Sequence, residues 1–337
     1  MQSIILADAP TVSVSEVAKA LGVSRSGFHA HLHKPQKPRR REDGILVHAM
    51  KQAFDENENC YGSVRLVREV RKQGLRCGKT RMRRLMVQEQ LFPTQKRRAR
   101  PRTTSSNPYL PVAPNLLQGA APAASPGQRW YSDITYIPTD EGYLYLAATM
   151  DGCSRKCAGW SASDNMAADL VLRAARQAFA SSTFFASSTF FASSTFFAQK
   201  SKNFVANDSL FVANDSLPVV IHHSDRGSQY ASEAFRSLLK EKKVTQSMSR
   251  KGNCFDNALM ESFWATLKTE CFNNFRNGVP ATRQEAKARI FAYIEVFYNR
   301  KRQHSSLGYV SPAQFENQFA KAYSHHAQNN IQKEKYL

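Results

Sequence analysis

The sequence predicts an α/β domain, a mixed sheet with helices on both faces, preceded by all-α helix-turn-helix units. Three observations predict it. From residue 129 onward strand-like and helix-like stretches alternate, two glycine-hinged helix pairs lie before residue 95, and positive charge is concentrated in that first part. The chain has 337 residues with 47 Lys+Arg against 27 Asp+Glu, a net charge of +20. Residues 1–107 hold a balance of +13 and residues 108–337 one of +7. A field of this sign and size favours a polyanionic partner, most simply nucleic acid. A hydrophobic fraction of 42%, with 11% aromatics, excludes wholesale disorder. No stretch approaches the roughly 18 apolar residues of a membrane span, and residues 4–7 are too short for a secretory signal. A cytoplasmic protein is expected.

The elements follow in chain order. Residues 12–32 (VSVSEVAKALGVSRSGFHAHL, from Val12) read as two short helices around a turn at Gly22. Ser15 is expected to cap the first, and Ser24 the second, which presents Arg25, Ser26 and His29. That is helix-turn-helix grammar, a short polar helix able to enter a major groove. The pattern returns at 61–91, where Gly74 breaks the first helix and the second carries Lys79, Arg81, Arg83 and Arg84. Residues 34–41 (KPQKPRRR) read as a linker between the pairs. Residues 96–102 (KRRARPR) and the Ser/Pro/Ala-rich stretch to 127 read as an extended, mobile linker that neutralises phosphates without reading bases.

Residues 130–137 and 143–150 read as two strands of a hairpin with a turn at 139–142, and 156–162 as a third strand. Residues 167–179 form an amphipathic helix, 218–222 (PVVIH) a short buried strand, and 232–243 and 257–270 further helices. Between helix and buried strand, ASSTFF occurs three times from residue 180 and FVANDSL twice from residue 204. Periods of six and seven residues fit no solenoid, so 180–217 reads as tandem duplication inserted in a loop. The domains are therefore 1–95 (DNA-binding region), 96–127 (linker), 128–315 (catalytic core with the insertion) and 316–337 (tail).

Three carboxylates stand where chemistry would need them. Asp133 lies on the first strand in WYSDITYIP, Asp225 follows the buried strand in IHHSDRGSQY, and Glu261 lies on a late helix in FDNALMESFWATLKTE. Thirty-five residues separate Asp225 from Glu261. Phosphoryl transfer on DNA with divalent metal uses such clusters, because Mg²⁺ prefers hard oxygen ligands and two ions can stabilise both the attacking and leaving oxygens.

With these motifs, YGSVRLVREVRKQGLRCGKTRMRRLM, MDGCSRKCAGW, SRKGNCFDNALMESFWATLKTE and YNRKRQHSSLGYVSP, the chain resembles the IS3-type insertion-sequence transposases, downstream-frame (OrfB) product, with a retroviral-integrase-like D-D-E core. The resemblance spans most of residues 12–315. It implies a ribonuclease-H-like domain that binds Mg²⁺ or Mn²⁺, as two ions, through Asp133, Asp225 and Glu261. It implies hydrolysis at an element end, then attack of the freed 3′-OH on another phosphodiester. DNA is the implied partner, with a homo-oligomer on DNA, an upstream-frame helix-turn-helix protein as a further partner, and a bacterial nucleoid setting.

Other residues fit that chemistry. Lys268 lies seven residues after Glu261, two helical turns on, and would hold a phosphate near the metals. Lys251, Asn253 and Asn257 lie in a Gly-containing loop suited to DNA contacts, and Arg226, Ser228 and Gln229 turn toward the same site. Asp151, in a turn sequence, and Asp256, off the face Glu261 uses, read as structural. Arg300, Arg302 and His304 either touch DNA or pack against the core. His222 and His223, adjacent on a strand, point to opposite faces and read as structural, and the six cysteines, with no zinc spacing, read as free thiols.

Overall fold

The computed structural model describes residues 13–32, 38–94, 111–181, 220–250, 257–272 and 278–322. The chain divides into two compact units, one of Met1–Ala53 and Leu66–Leu91, the other of Phe54–Arg65 and Phe92–Leu337. Among the described residues no helix is long and apolar enough to cross a membrane.

The first unit is helical. Helix α1 (Val14–Ala20) is capped two residues earlier than expected, by Ser13 rather than Ser15. The Ser13 hydroxyl accepts from the Glu16 N–H at 3.3 Å, and the Glu16 carboxylate accepts from the Ser13 N–H at 2.8 Å. This reciprocal box satisfies two otherwise orphan donors, which Ser15 cannot do from inside the helix. Ser24 caps α2 (Arg25–Leu32) as expected, accepting from the Gly27 N–H at 3.1 Å. Residues 38–41, read as linker, instead open α3 (Pro38–Glu56), a 19-residue helix absent from the sequence reading. Helices α4 (Ser63–Lys72) and α5 (Lys79–Gln88) flank the expected break, where Gly74 adopts φ +81°, a conformation costly for other residues. Asp43 of α3 grips Arg81 and Arg84 of α5, each at 2.7 Å.

The second unit holds a five-stranded sheet in the order β3-β2-β1-β4-β5. Strands β1 (Arg129–Thr139) and β2 (Gly142–Asp151) form the expected hairpin, and β3 (Cys157–Ser163) adds antiparallel to β2. Helix α6 (Ala168–Ser181) then crosses back, and β4 (Ile221–Ser224) pairs parallel with β1. Strand β5 (Thr245–Met248), which the sequence reading did not include, pairs parallel with β4. Helices α7 (Glu233–Glu241), α8 (Ala258–Glu270) and α9 (Arg283–Phe291) follow, α9 running on as a π-helical turn over Ala292–Tyr298, and a last helix covers 312–322. This mixed sheet with helices is the ribonuclease-H-like architecture expected.

The core lies between the sheet and helices α6 and α7. Leu170, Val171, Ala174, Ala175 and Ala178 pack with Trp130, Ala147, Phe235, Leu238 and Met248. Helix α6 approaches β3 so closely that a Cβ on Gly159 would sit 2.1 Å from the Ala174 carbonyl oxygen.

The second linker expectation, 96–127, is corrected for its described part. Residues 111–127 are not a mobile tether but lie on the core: Leu116 N–H donates to Ser247 Oγ at 2.9 Å, Met248 N–H to the Pro114 carbonyl at 3.3 Å, and Gly127 N–H to Asp151 at 2.6 Å. Their backbone groups find partners far away in sequence, which local composition does not reveal. The tandem copies at 182–217, the basic run at 96–102, and Lys251, Asn253, Cys254 and Asp256 lie outside the described residues. Cys60, Cys77, Cys153, Cys157 and Cys271 are free thiols.

Candidate active site

The parallel pairing of β1 with β4 brings the two aspartates level. Tyr131 pairs with His223, so two residues further along each chain Asp133 and Asp225 stand side by side, Asp225 one residue past the end of β4. A buried network runs across the neighbouring strands, and one of its bonds, from Ser132 to His222, joins this pair. Ser132 Oγ lies 2.7 Å from Thr149 Oγ1 and 2.8 Å from His222 Nε2, while His223 bonds Ser247 Oγ at 2.9 Å and Ser249 Oγ at 3.1 Å. Both histidines are fully buried, one to each side, so they serve the sheet as read.

Each aspartate is oriented by a neutral donor. Asp225 Oδ1 accepts the Gly227 N–H at 2.9 Å, in the turn leading to Ser228–Ala231. Asp133 Oδ2 accepts the Trp264 indole N–H at 2.9 Å, and the Ile134 backbone N–H also bonds this carboxylate. Burial first, and then the negative charge of Asp225, push the Asp133 carboxyl up to about 7, with Glu261 adding in the same sense. Glu261, in the first turn of α8, is exposed. Helix α8 packs on β1, so the three acids face one region from three elements. Among the described residues no three His, Cys, Asp or Glu side chains are gathered tightly enough to hold one ion. The Tyr230 hydroxyl, buried and without a hydrogen-bond partner, lies within range of both aspartates, whose charges add to burial in holding it protonated, well above the usual tyrosine range.

The other predicted residues are placed as follows. Lys268 is half-buried with its ammonium 4.7 Å from the centre of the Tyr136 ring; burial lowers its proton affinity while Asp133 opposes this. Arg226 donates to the Ser249 carbonyl at 2.7 Å. Asn257 is not a surface loop residue: it is buried and donates to the Ser132 carbonyl at 3.2 Å, bracing the residue next to Asp133. Arg25, Lys79 and Arg83 are exposed on their helices, whereas Arg81 is largely covered, bonded to Asp43 at 2.7 Å and Glu42 at 3.2 Å.

Of the residues left open, Arg302 and His304 pack inside while Arg300 is exposed. Asp151 is structural, accepting the N–H groups of Gly127, Cys153 and Ser154 at 2.6, 2.9 and 2.6 Å. Arg302 packs inside, forming a bidentate pair with Glu270 at 2.6 and 2.7 Å, and His304 lies buried against Tyr298. Trp264 escaped the sequence reading. Its signal was its position, three residues after Glu261 on a helix that packs against the strand of Asp133.

Comparison with known proteins places the chain in a family. The integrase core domain matches residues 123–184 and 185–254, a second integrase core domain family matches 261–319, and an HTH-like domain matches 40–99. The HTH-like match takes in α3, α4 and α5, so the second helix pair is one part of a three-helix unit. The chain is 37% identical over 303 residues to the insertion element IS600 uncharacterized 31 kDa protein of Shigella sonnei, covering 90% of this chain and 98% of that protein. It is 33% identical to the transposase InsF for insertion sequence IS3A of Escherichia coli, covering 90% and 94%. Among solved structures, the simian T-cell lymphotropic virus intasome aligns with a TM-score of 0.41 and 13% identity over 80% of this chain and 73% of that one. By its match across nearly the full length of these relatives, the chain belongs to the insertion-sequence transposases of the IS3 type, proteins with an integrase core.

Proposed function

We propose that this transposase cuts DNA at the ends of its element and joins the freed 3′-OH to target DNA, with Asp133, Asp225 and Glu261 as the catalytic carboxylates. The observation that carries the reading is geometric: the parallel register of β1 and β4 sets Asp133 level with Asp225, and the helix of Glu261 packs on β1. A divalent cation fits the chemistry of the levelled Asp133 and Asp225, since carboxylates are hard oxygen donors and a cation relieves their mutual repulsion. Mg²⁺ or Mn²⁺, as two ions held by these three acids, would supply Lewis-acid activation of the attacked phosphate and a more acidic water or 3′-OH.

The chain's own residues do the rest. Gly227 and Trp264 fix the two aspartates with uncharged N–H groups, so orientation is gained without cancelling their charge. Lys268, in electrostatic reach of Asp133, is suited to hold a phosphate oxygen. Arg25, Lys79 and Arg83, exposed on their helices, are suited to DNA phosphates, and Arg226, Lys251 and Asn253 are proposed as further DNA contacts. An element has two ends and the chain one set of three acids, which supports a homo-oligomer on DNA. The family resemblance adds an upstream-frame helix-turn-helix protein as partner.

The test is Asp225→Asn in the full chain, assayed for Mg²⁺-dependent nicking of a duplex carrying the terminal repeat. Nicking is expected to vanish while binding of the same duplex is retained. Nicking at the wild-type rate would remove Asp225 from the site.

A further inference from the structure

A buried indole joins two of the three acid-bearing elements. Trp264 is 6% exposed, and its N–H lies 2.9 Å from Asp133 Oδ2. An indole nitrogen is a donor only and keeps its proton at any working pH, so the bond has one direction and one charge state. The ring is held from behind: Phe263 tilts against it with centroids 4.9 Å apart, and Phe263 stands edge-on to Tyr298 at 5.0 Å. Trp264 sits three residues after Glu261, about one turn along α8. The helix presenting the third acid thus grips the carboxylate of the first.

We propose that Trp264 is a positioning residue for the metal site: its N–H sets the plane of the Asp133 carboxylate and ties the helix of Glu261 to the strand of Asp133. This rests on the reading of the three acids given above. A carboxylate free to rotate presents its lone pairs in many directions, and a cation must select among them. Anchoring one oxygen with a neutral donor removes that freedom, while the charge needed for the cation is kept. A Lys or Arg in the same place would orient the carboxylate equally well but compete electrostatically with the cation.

Two variants of the full chain separate the N–H from the ring. Trp264→Phe removes the donor and some volume. Replacing Trp264 with 3-benzothienylalanine removes the donor alone, since sulfur takes the place of the N–H in a ring of nearly the same shape. The probe is Mn²⁺ without DNA, with free ion counted by electron paramagnetic resonance; kcat and KM for nicking are measured separately. For the benzothienyl variant an unchanged melting temperature, Mn²⁺ affinity weaker by about ten- to a hundredfold, and a lower kcat at constant KM for DNA are expected. A benzothienyl variant that binds Mn²⁺ and nicks like wild type overturns the proposal, and it does so equally if Trp264→Phe fails, because the defect is then one of packing. Asp133→Asn serves as the reference. If it leaves Mn²⁺ binding intact, the assignment of the acids fails; if it abolishes binding and the benzothienyl variant does not weaken it, the Trp264 inference alone fails.

Discussion

At the scale of single residues, His222 shows how a side chain beside a candidate site is committed to structure. Its ring is fully buried, bonded to Ser132, and packed edge-on to Phe235 at 5.1 Å. Burial, helped by the neighbouring His223, lowers its proton affinity to about 3. In the unfolded chain the ring takes its proton near pH 6.5. Below that pH the unfolded state therefore binds more protons than the folded one, so stability is lost as pH falls from 6.5 toward 3. The slope is about 1.4 kcal/mol per pH unit for each such histidine. His304, buried and lowered to about 3 as well, adds in the same direction. Urea midpoints at pH 7 and pH 5 test this: His222→Gln should flatten the difference, and an undiminished difference would assign the acid sensitivity elsewhere. Legible in sequence were positions: Asp133 on a strand, Asp225 just past the end of another, and Asp151 in a turn. Asn257 and Arg302 were not, because a polar side chain on a helix or loop reads as exposed until its buried partner, Ser132 or Glu270, is brought across the fold.

At the scale of elements, pattern sufficed where an element is long and one-sided. The β1–β2 hairpin, α6 and α8 lie within a few residues of their expected bounds. Strand β5, four residues reading TQSM, has no apolar run, and its identity comes from pairing with β4. Strand β4 lies later than expected, over Ile221–Ser224, because its interior is histidine and serine joined in a buried network rather than the apolar PVV. The contact of α6 with β3 gives this scale its prediction. Gly159 lets the helix backbone come within a distance that no side chain tolerates, and the obstructing atoms are backbone atoms of Ala174 and Ala178. Gly159→Ala must therefore push α6 off the sheet, costing about 3 kcal/mol or more by overpacking. Chemical denaturation measures the loss, and a neutral result would mean that α6 can shift freely on β3. Because the shift would disturb the sheet that levels Asp133 with Asp225, nicking should fall with it.

At the scale of the whole molecule, the tandem copies pose a question of tolerance. The three ASSTFF copies begin within the last residues of α6, and with the two FVANDSL copies they run toward β4; the integrase core match divides within them, between residues 184 and 185. Helix α6 ends at Ser181 and β4 begins at Ile221, so the insertion separates two elements that the sheet holds in place by other means. Strand β4 is paired on both sides, with β1 and β5, and its level is set by Arg129, Trp130 and Tyr131. Loop closure adds only about 0.6 kcal/mol for each doubling of length, small beside the pairing that fixes β4. Deleting residues 186–197 and 211–217, which leaves one copy of each repeat, should therefore raise stability by about 1 kcal/mol or less and change the nicking rate by less than about threefold. Melting and nicking of the two forms on the same terminal-repeat duplex decide it. A large gain in rate on deletion would show that the copies obstruct the site beside Asp225, and that the natural chain works below the capacity of its fold.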